Sequence, residues 1–366
     1  MDRVGDAMIQ LRPEPMLRVR QAAVVALIAS LSLQVGASAQ QTLAFTLFEQ
    51  YVEQLRQHAG IPGISAAILQ DGNVIWERGF GHRDVEAGLP AAPDTPYLLA
   101  DLTQTFTAAM TLMCVEYGLL DLDDPIGRWA PQTQDARATL RQLLTHASPG
   151  ANPAFRYDPS RFAALGIPLE ACGEAPYRKL IALHVLDRLA MVDAVPGRDI
   201  MSAPAEVRTL FEESTLERYS AALRRLATPY RVDRRGRASR NDLPVTGIDA
   251  AHGLVASVRD LARYDAGLEV LLSPESLTAS WTNGVANNVS MPMGLGWFVQ
   301  SYEGQRIVWH FGLATDAYSS LILKAPGRRL TLILLANSDG LSGPFSLEKG
   351  DVTSSVFAKT FLRLFL

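Results

Sequence analysis

The spacing of apolar residues predicts strands near the N-terminus and helices after them. Ile64–Leu69 and Val74–Phe80 are short apolar runs joined by Asp71-Gly72, and this arrangement predicts a β-hairpin. Leu102–Tyr117 instead carries its apolar residues on one helical face, which predicts an α-helix. The same criterion predicts further helices at Thr42–Gln57, Thr139–Thr145, Ser160–Ala171 and Val352–Phe365.

The end of the chain returns to strand patterns. Leu330–Ala336 is apolar at every position, as a central strand covered on both faces would be. Three other strands are predicted before it, at Gly294–Ser301, Gln305–Trp309 and Ser319–Lys324. The simplest arrangement joins the N- and C-terminal strands, from about 42–98 and 290–366, in one sheet. A mostly helical subdomain, about 99–289, would then lie beside the sheet, with a cleft between the two.

The N-terminal segment has the features of a secretory signal peptide. Arg18 and Arg20 precede an apolar run from Ala22 to Leu33, and Ala37-Ser38-Ala39 follows it. The run is shorter than the roughly 20 apolar residues that span a bilayer, which argues against a retained anchor. We therefore expect residues 1–39 to be removed and residues 40–366 to be an exported, periplasmic or secreted protein without a stable membrane span. Acidic residues ahead of the two arginines make Met16 an alternative start.

Composition excludes several classes of function. The 366 residues are 48% hydrophobic and 20% charged, which is enough apolar material for a large core. A net charge of −4 lacks the concentrated basic footprint of a nucleic-acid-binding protein, and the densest basic stretch, Arg231–Arg240, is predicted to be a solvated loop. The six histidines are scattered singly, so neither a metal site nor a cofactor is predicted. The oligomeric state is left undetermined.

The chain has two cysteines, Cys114 and Cys172. Each falls on the apolar side of a predicted helix, which favours two small, buried hydrophobic side chains. An oxidising compartment permits a disulfide as the alternative, but the sequence does not show that the two are close.

The segment Leu99–Ala108, at the start of the long predicted helix, reads Leu-Ala-Asp-Leu-Thr-Gln-Thr-Phe-Thr-Ala. It resembles the signature of the serine β-lactamase, penicillin-binding DD-peptidase and related esterase family, in which Ser-x-x-Lys precedes Thr-Phe-Thr-Ala. The resemblance implies the family's α+β fold, an antiparallel sheet flanked by helices with an inserted, mostly helical subdomain. Similar segments follow in the family's order at Glu116–Pro125, Thr139–Ser148, Ala250–Leu254, Asp260–Ala262, Gly294–Trp297 and Trp309–Gly312.

The resemblance fails at the two residues that carry the family's chemistry. The family's serine attacks an acyl carbonyl, and the lysine one turn later helps to remove its proton. Asp101 and Gln104 stand at these positions. A carboxamide does not take up a proton near neutral pH, and the charge of a carboxylate opposes the oxyanion that develops in acyl transfer. The pair fits a capping box instead, in which Asp101 accepts the N–H of Gln104 and the Gln104 side chain reaches back.

The family's Tyr-x-Asn element, whose tyrosine assists proton transfer, has two matches. Tyr157-Asp158-Pro159 is the better one because its surroundings also fit the family, and Tyr219-Ser220-Ala221 is weaker. The third position of the better match is proline, which offers neither an amide side chain nor a backbone donor. A packing role with a hydrogen-bonded hydroxyl is the alternative for this tyrosine.

The family's strand motif, Lys-Thr-Gly or His-x-Gly, is matched by His310-Phe311-Gly312. By resemblance, His310 lines the cleft and Gly312 lets a ligand approach the strand backbone. The resemblance also implies that the N–H groups of Leu313 and of Asp101 form the oxyanion hole. A histidine without a task on the sheet is the alternative for His310.

These substitutions make a catalytically degenerate family member the leading hypothesis. Such a protein would keep a cleft for a peptide-like ligand, an ester or a protein partner, without acylation. One alternative is an active hydrolase of esterase or amidase type that uses Asp101, directly or through a water, with Tyr157 and His310 in a non-standard mechanism. Another is a structural or interaction module whose cleft is closed by Phe311 and Leu313.

Overall fold

The structure is a computed structural model and describes residues 42–133, 135–149, 153–286 and 289–366. The predicted signal peptide, residues 1–39, and the alternative start therefore lie outside the described residues. The chain forms two units, residues 1–50 and 51–366. In the first unit residues 42–50 are helical, and every other described element belongs to the second.

The described strands form one large sheet and three small ones. In chain order the strands are β1 (Gly63–Gln70), β2 (Asn73–Asp84), β3 (Leu89–Pro90), β4 (Tyr97–Leu98), β5 (Val195–Pro196), β6 (Tyr230–Val232), β7 (Ala238–Arg240), β8 (Leu254–Ala256), β9 (Val285–Ala286), β10 (Val289–Ser290), β11 (Phe298–Tyr302), β12 (Gln305–Ala314), β13 (Tyr318–Ala325) and β14 (Leu330–Ala336). The large sheet has the order β11-β12-β13-β14-β1-β2-β3, and its neighbouring strands are antiparallel throughout. A three-stranded sheet has the order β4-β8-β5, and β6–β7 and β9–β10 form two-stranded sheets.

Helices fill the middle of the chain and close its end. The α-helices of the second unit are α1 (51–58), α2 (Thr103–Glu116), α3 (Leu140–Leu144), α4 (Pro159–Phe162), α5 (Gly166–Gly173), α6 (Tyr177–Ile181), α7 (Ala205–Arg208), α8 (Glu213–Leu223), α9 (Val258–Leu271), α10 (Pro274–Ser280) and α11 (Val356–Phe365). A π-helical turn, Ala182–Asp187, continues α6. Short 3₁₀ helices occupy Ala100–Leu102, Ile126–Arg128, Ala163–Leu165, Pro326–Arg328, Asp339–Leu341, Leu347–Lys349 and Val352–Ser354.

The antiparallel sheet confirms the predicted pairing of N- and C-terminal strands. Asp71 and Gly72 both have positive φ angles, 52° and 74°, and join β1 to β2 in a tight hairpin turn. β14 is buried at every position and lies between β13 and β1, which explains its uninterrupted apolar sequence. Helix α9 packs against β1 and β14, so the sheet is covered on that face.

Helix α2 is buried along most of its length and is fixed by three contacts. The Phe106 ring stacks on Tyr264 of α9 with 3.8 Å between the ring centroids, and the Tyr264 hydroxyl donates to the carbonyl of Thr105 at 2.8 Å. The Thr107 hydroxyl donates to the carbonyl of Ala250 at 2.6 Å. These contacts hold the start of α2 in place beside the loop that leads into β8.

Two predicted elements differ from the structure. The strand expected at Gly294–Ser301 begins only at Phe298, because Gly296 has a φ of 79° and a Cβ there would lie 2.2 Å from the Cβ of Ala108. The chain therefore turns closely over α2 before it enters β11. The basic stretch Arg231–Arg240 is largely exposed as expected, but its ends pair as the hairpin β6–β7.

None of the helices in the described residues is both long and apolar enough to cross a membrane.

Cys114 and Cys172 form a disulfide, so the expectation of two buried thiols is wrong. Cys114 lies in the last turn of α2 and Cys172 in the last turn of α5, and these helices pack against each other. Both residues are only partly buried. The sequence could not reveal this pair because the packing of α5 on α2 brings together positions 58 residues apart.

Removing the disulfide should lower the free energy of unfolding. The Cys114→Ala/Cys172→Ala variant is expected to lose about 2–4 kcal/mol, because the bridge restricts the unfolded chain. Urea denaturation of the oxidised protein, the reduced protein and the variant measures this. The reduced protein should resemble the variant, and equal midpoints for all three would contradict the bridge.

Candidate active site

The segment that leads into α2 is held between two sheets. The Leu99 N–H donates to the carbonyl of Leu254 at 2.8 Å, and the Ser320 hydroxyl of β13 donates to the carbonyl of Leu99 at 2.9 Å. Ala100 then adopts a φ of 50°, in the left-handed region that costs a non-glycine residue about 1 kcal/mol. This turn is followed by Asp101, whose side chain reaches β12.

The Asp101 carboxylate has a partner at each oxygen. Oδ2 accepts the N–H of Leu313 at 3.2 Å, and Oδ1 lies 2.9 Å from Nε2 of His252. The residue is only 5% exposed. Because a buried carboxylate is costly unless it is hydrogen-bonded and paired with a cation, these two contacts account for its stability in this position.

Gln104 is fully buried and lies between a tyrosine and a histidine. Its Nε2 donates to the hydroxyl of Tyr157 at 3.3 Å, and its Oε1 is 2.9 Å from Nε2 of His146. The N–H of Asp158 donates to Nδ1 of His146 at 2.9 Å, so in the neutral imidazole the proton is on Nε2 and is donated to Gln104. Burial lowers the pKa of His146 well below its ordinary value, which keeps the ring neutral.

The predicted capping box between Asp101 and Gln104 is wrong. Asp101 lies within the 3₁₀ helix Ala100–Leu102, and neither that helix nor α2 has a side-chain cap. The Asp101 carboxylate accepts the Leu313 N–H instead, and the Gln104 amide is used by Tyr157 and His146. Tertiary partners have replaced the local hydrogen bonds that the sequence pattern favours.

Tyr157, rather than the alternative Tyr219, is next to Gln104. The Tyr157 ring stacks on His146 with 4.5 Å between centroids and lies 5.3 Å from the Phe311 ring, whereas Tyr219 packs edge-on against Phe211. Burial, and then the charge of Asp101, raise the pKa of Tyr157 well above its ordinary value. The hydroxyl therefore stays protonated at neutral pH.

His310 and Gly312 lie on the same face of β12, which meets the start of α2. A Cβ on Gly312 would come within 2.0 Å of the carbonyl oxygen of Leu99, so only glycine allows this approach. His310 is fully buried, and its Nδ1–H donates to the carbonyl of Phe311 at 2.7 Å. Burial lowers the pKa of His310 to about 4, so the ring is neutral and Nε2 carries a lone pair. That Nε2 has no hydrogen-bond partner among the described residues.

His252 lies on the open side of the site and contacts two carboxylates. Besides its contact with Asp101, its Nδ1 lies 3.5 Å from Oδ1 of Asp249. The side chains of His252 and Asp249 are 44% and 57% exposed. Burial acts to lower the pKa of His252, but the hydrogen bonds to Asp101 and Asp249 outweigh it and raise the pKa to about 10. His252 is therefore an imidazolium at neutral pH.

A model of the family described as Beta-lactamase matches residues 48–350, which is most of the chain. The chain belongs to the β-lactamase family. The antiparallel sheet with flanking helices that the resemblance implied is confirmed as this family's fold.

Curated relatives are distant. Protein flp of Staphylococcus aureus (strain MW2) is 23% identical over 337 residues, which cover 78% of this chain and 61% of that protein. The human mitochondrial serine beta-lactamase-like protein LACTB is 29% identical over 104 residues, covering 26% of this chain and 19% of its own length. The chain thus spans less than two thirds of the length of these relatives.

Solved structures share the fold. A D-alanine carboxypeptidase AmpC from Burkholderia cenocepacia superposes with a TM-score of 0.67 at 17% identity, covering 87% of this chain and 99% of that one. An octameric penicillin-binding protein homologue from Pyrococcus abyssi also gives 0.67, at 24% identity, covering 81% of this chain and 74% of the other. Sequence identities this low show that the fold is shared, but they do not show that the activity is shared.

The structure brings together all six residues that the family resemblance singled out, and it adds His146 and His252. Neither histidine had been assigned to the site, although both lie in segments that carry the resemblance, Thr139–Ser148 and Ala250–Leu254. Their position in these segments is the sequence feature from which both histidines could have been predicted. No group of three metal-ligating side chains that could hold an ion occurs in the described part of the chain. The six residues are Asp101, Gln104, Tyr157, His310, Gly312 and Leu313.

The His252 imidazolium should remain protonated well above the pH at which a free histidine titrates. Its ring resonances in an NMR titration are expected to stay constant from pH 6 to about pH 8.5 and to shift as the pH approaches 10. Because the folded-state pKa is raised, the stabilisation is complete below about pH 6.5 and is lost as pH rises towards 10. A titration of His252 near pH 6.5 would contradict the ion pair.

Adding a methyl group to Gly312 should destabilise the fold. Gly312→Ala is expected to cost about 1–3 kcal/mol, because the new Cβ collides with the backbone of Leu99. Gly327→Ala is the matched control, since a Cβ there meets no atom within 4 Å, and it should not lower stability. Urea denaturation of both variants measures the difference, and equal effects would disprove the close approach of β12 to α2.

Proposed function

We propose that this protein is an exported member of the β-lactamase family that binds a ligand without forming an acyl-enzyme. The observation that carries the proposal is the hydrogen bond from the Leu313 N–H to the Asp101 carboxylate. By resemblance this N–H belongs to the oxyanion hole. An anion of the protein itself therefore uses the donor that acyl transfer needs for the developing oxyanion.

The groups around Asp101 also do not supply a general base. The Gln104 amide takes up no proton near neutral pH, Tyr157 is held protonated, and His252 is already an imidazolium. The lone pair of His310 belongs to a ring whose pKa is about 4, so it is a weak base. These protonation states argue against the alternative of an active hydrolase.

Asp101 itself is poorly suited to attack an acyl carbonyl. Both of its oxygens are engaged, one by the Leu313 N–H and one by the His252 imidazolium. These contacts stabilise the negative charge and so reduce its nucleophilicity. Attack would also move the negative charge from Asp101 to the oxyanion, away from the donor and the cation that stabilise it on the carboxylate.

Export is supported by two features of different kinds. The N-terminal sequence has the composition of a signal peptide, and Cys114 and Cys172 form a disulfide. Disulfides persist mainly in oxidising compartments, which include the periplasm and the extracellular space. The two features together favour a periplasmic or secreted protein.

The ligand class that the fold neighbours suggest is peptide-like. Among them are proteins described as a D-alanine carboxypeptidase and as a penicillin-binding protein homologue. This support comes from analogy of fold.

A structural or protein-interaction module with a closed groove is the second candidate. Gln104 and His310 are fully buried, and Phe311 is buried as well. Leu313 and Tyr157 are partly buried, so the partner would meet mainly these two residues and His252 at the surface. A site that is filled by its own side chains is what this second function requires.

Covalent labelling tests the proposal. Intact-mass analysis of the protein after exposure to benzylpenicillin and to a fluorophosphonate probe is expected to show no added mass. The Asp101→Ser/Gln104→Lys variant restores a hydroxyl and a neighbouring amine on the same scaffold, and it is expected to gain the mass of the probe. Asp101→Ser alone is the matched control, because it has the hydroxyl without the amine.

A stable covalent adduct on the unmodified protein would overturn the proposal. Peptide sequencing would then locate the modified side chain, and loss of the adduct in Tyr157→Phe or His310→Ala would establish an active hydrolase with a non-standard mechanism.

A further inference from the structure

The open side of the site carries excess negative charge. The carboxylates of Asp101 and Asp249 face a single imidazolium, that of His252, which leaves one net negative charge. No lysine or arginine in the described residues forms a salt bridge with either carboxylate. A carboxylate ligand would meet repulsion here, whereas a cation would be attracted.

A second, independent feature at the base of the site also favours a donor. Nε2 of His310 is a buried acceptor without a partner among the described residues, since the only ring proton is on Nδ1 and is donated to Phe311. His310 shares its strand face with Gly312, which meets the start of α2, and its ring lies 6.3 Å from that of Tyr157. An unpaired buried acceptor is costly, and an N–H or O–H donor would relieve that cost.

The ring of Tyr157, backed by two buried aromatic rings, forms a third side of the site. The ring of Tyr157 is partly buried, and those of Phe311 and Phe298 lie 5.3 Å and 5.7 Å from it. Aromatic faces attract cations and pack against apolar groups. Phe298 and Phe311 are buried behind Tyr157, so the Tyr157 ring is the one that the positive end or apolar body of a ligand would meet.

We infer that the site binds a ligand that presents a primary amine to Asp249 and Asp101, and that it discriminates against ligands that present a carboxylate. The amine, as an ammonium group, supplies both the positive charge and the N–H donors that the site lacks. His252 at present provides the cation for Asp101 and would have to share that carboxylate with the ligand. The inference rests on the proposed function and names the chemical class of its ligand.

Two probes that share a phenyl ring test this inference. NMR titrations at neutral pH and low salt compare 2-phenylethylamine, which is cationic, with 3-phenylpropionate, which is anionic. The amine is expected to bind at least about five-fold more tightly, a difference of the size that one partly exposed ion pair contributes. Shifted resonances should include those of His252 and His310.

Three variants assign the effect to the site. Asp249→Asn removes a charge but keeps the side-chain oxygen that accepts the N–H groups of Ala251 and His252, so the loop should fold, and the preference for the amine should fall about five-fold. His252→Gln removes the competing cation and should strengthen amine binding. Asp187→Asn, which changes a carboxylate paired with Arg218, is the matched control and should alter neither probe.

The inference is overturned if the carboxylate binds as tightly as the amine, if the amine does not bind up to about 10 mM, or if Asp249→Asn leaves the preference unchanged. Failure of the proposed function would look different. It would appear as a covalent adduct of the unmodified protein with penicillin or fluorophosphonate. That adduct would be detected whether the site binds the amine or the carboxylate more tightly.

Discussion

The organisation of this site follows from the cost of burying one carboxylate. Asp101 is almost inaccessible to water, so its charge needs a donor and a cation from the protein. β12 supplies the donor through the N–H of Leu313, and the loop before β8 supplies the cation through His252. Three segments that are distant in sequence are thereby tied together at the start of α2. The same contacts engage both oxygens of Asp101 and the N–H of Leu313.

The part of the site around Gln104 carries no charge. Its arrangement depends on the direction of its hydrogen bonds. His146 is neutral, and its two nitrogens have opposite roles because the Asp158 N–H is donated to one of them. That assignment fixes the orientation of the Gln104 amide, whose nitrogen then faces Tyr157. A lysine in place of Gln104 would bring a charge into this neutral region. The substitution at position 104 is therefore compatible with its neighbours as they stand.

Local patterns in the sequence were sufficient for much of the fold. The Asp71-Gly72 turn, the apolar strand β14 and the helix α2 each depend on residues that are adjacent or in periodic order. The site was located through the order of family segments, but its contacts were not. The partner of the Asp101 carboxylate on β12 is 212 residues away, and the half-cystines are 58 residues apart. The capping-box prediction failed for the same reason, since a local rule was overridden by partners that only the tertiary structure supplies.

The backbone around Asp101 has two features that the hydrogen bonds of Asp101 alone do not require. Ala100 stays in the left-handed region, and β12 approaches so closely that Gly312 tolerates no side chain. Strain of this kind persists only where the surrounding structure enforces it, and it is concentrated at sites that hold ligands or reacting groups. Here it places the Leu313 N–H against the side chain of Asp101. The close approach of β12 is thus set by the backbone, and what the site can do depends on the side chains that line it. With carboxylates at positions 101 and 249 and one imidazolium between them, this scaffold holds an electronegative site that favours a positively charged ligand over a carboxylate.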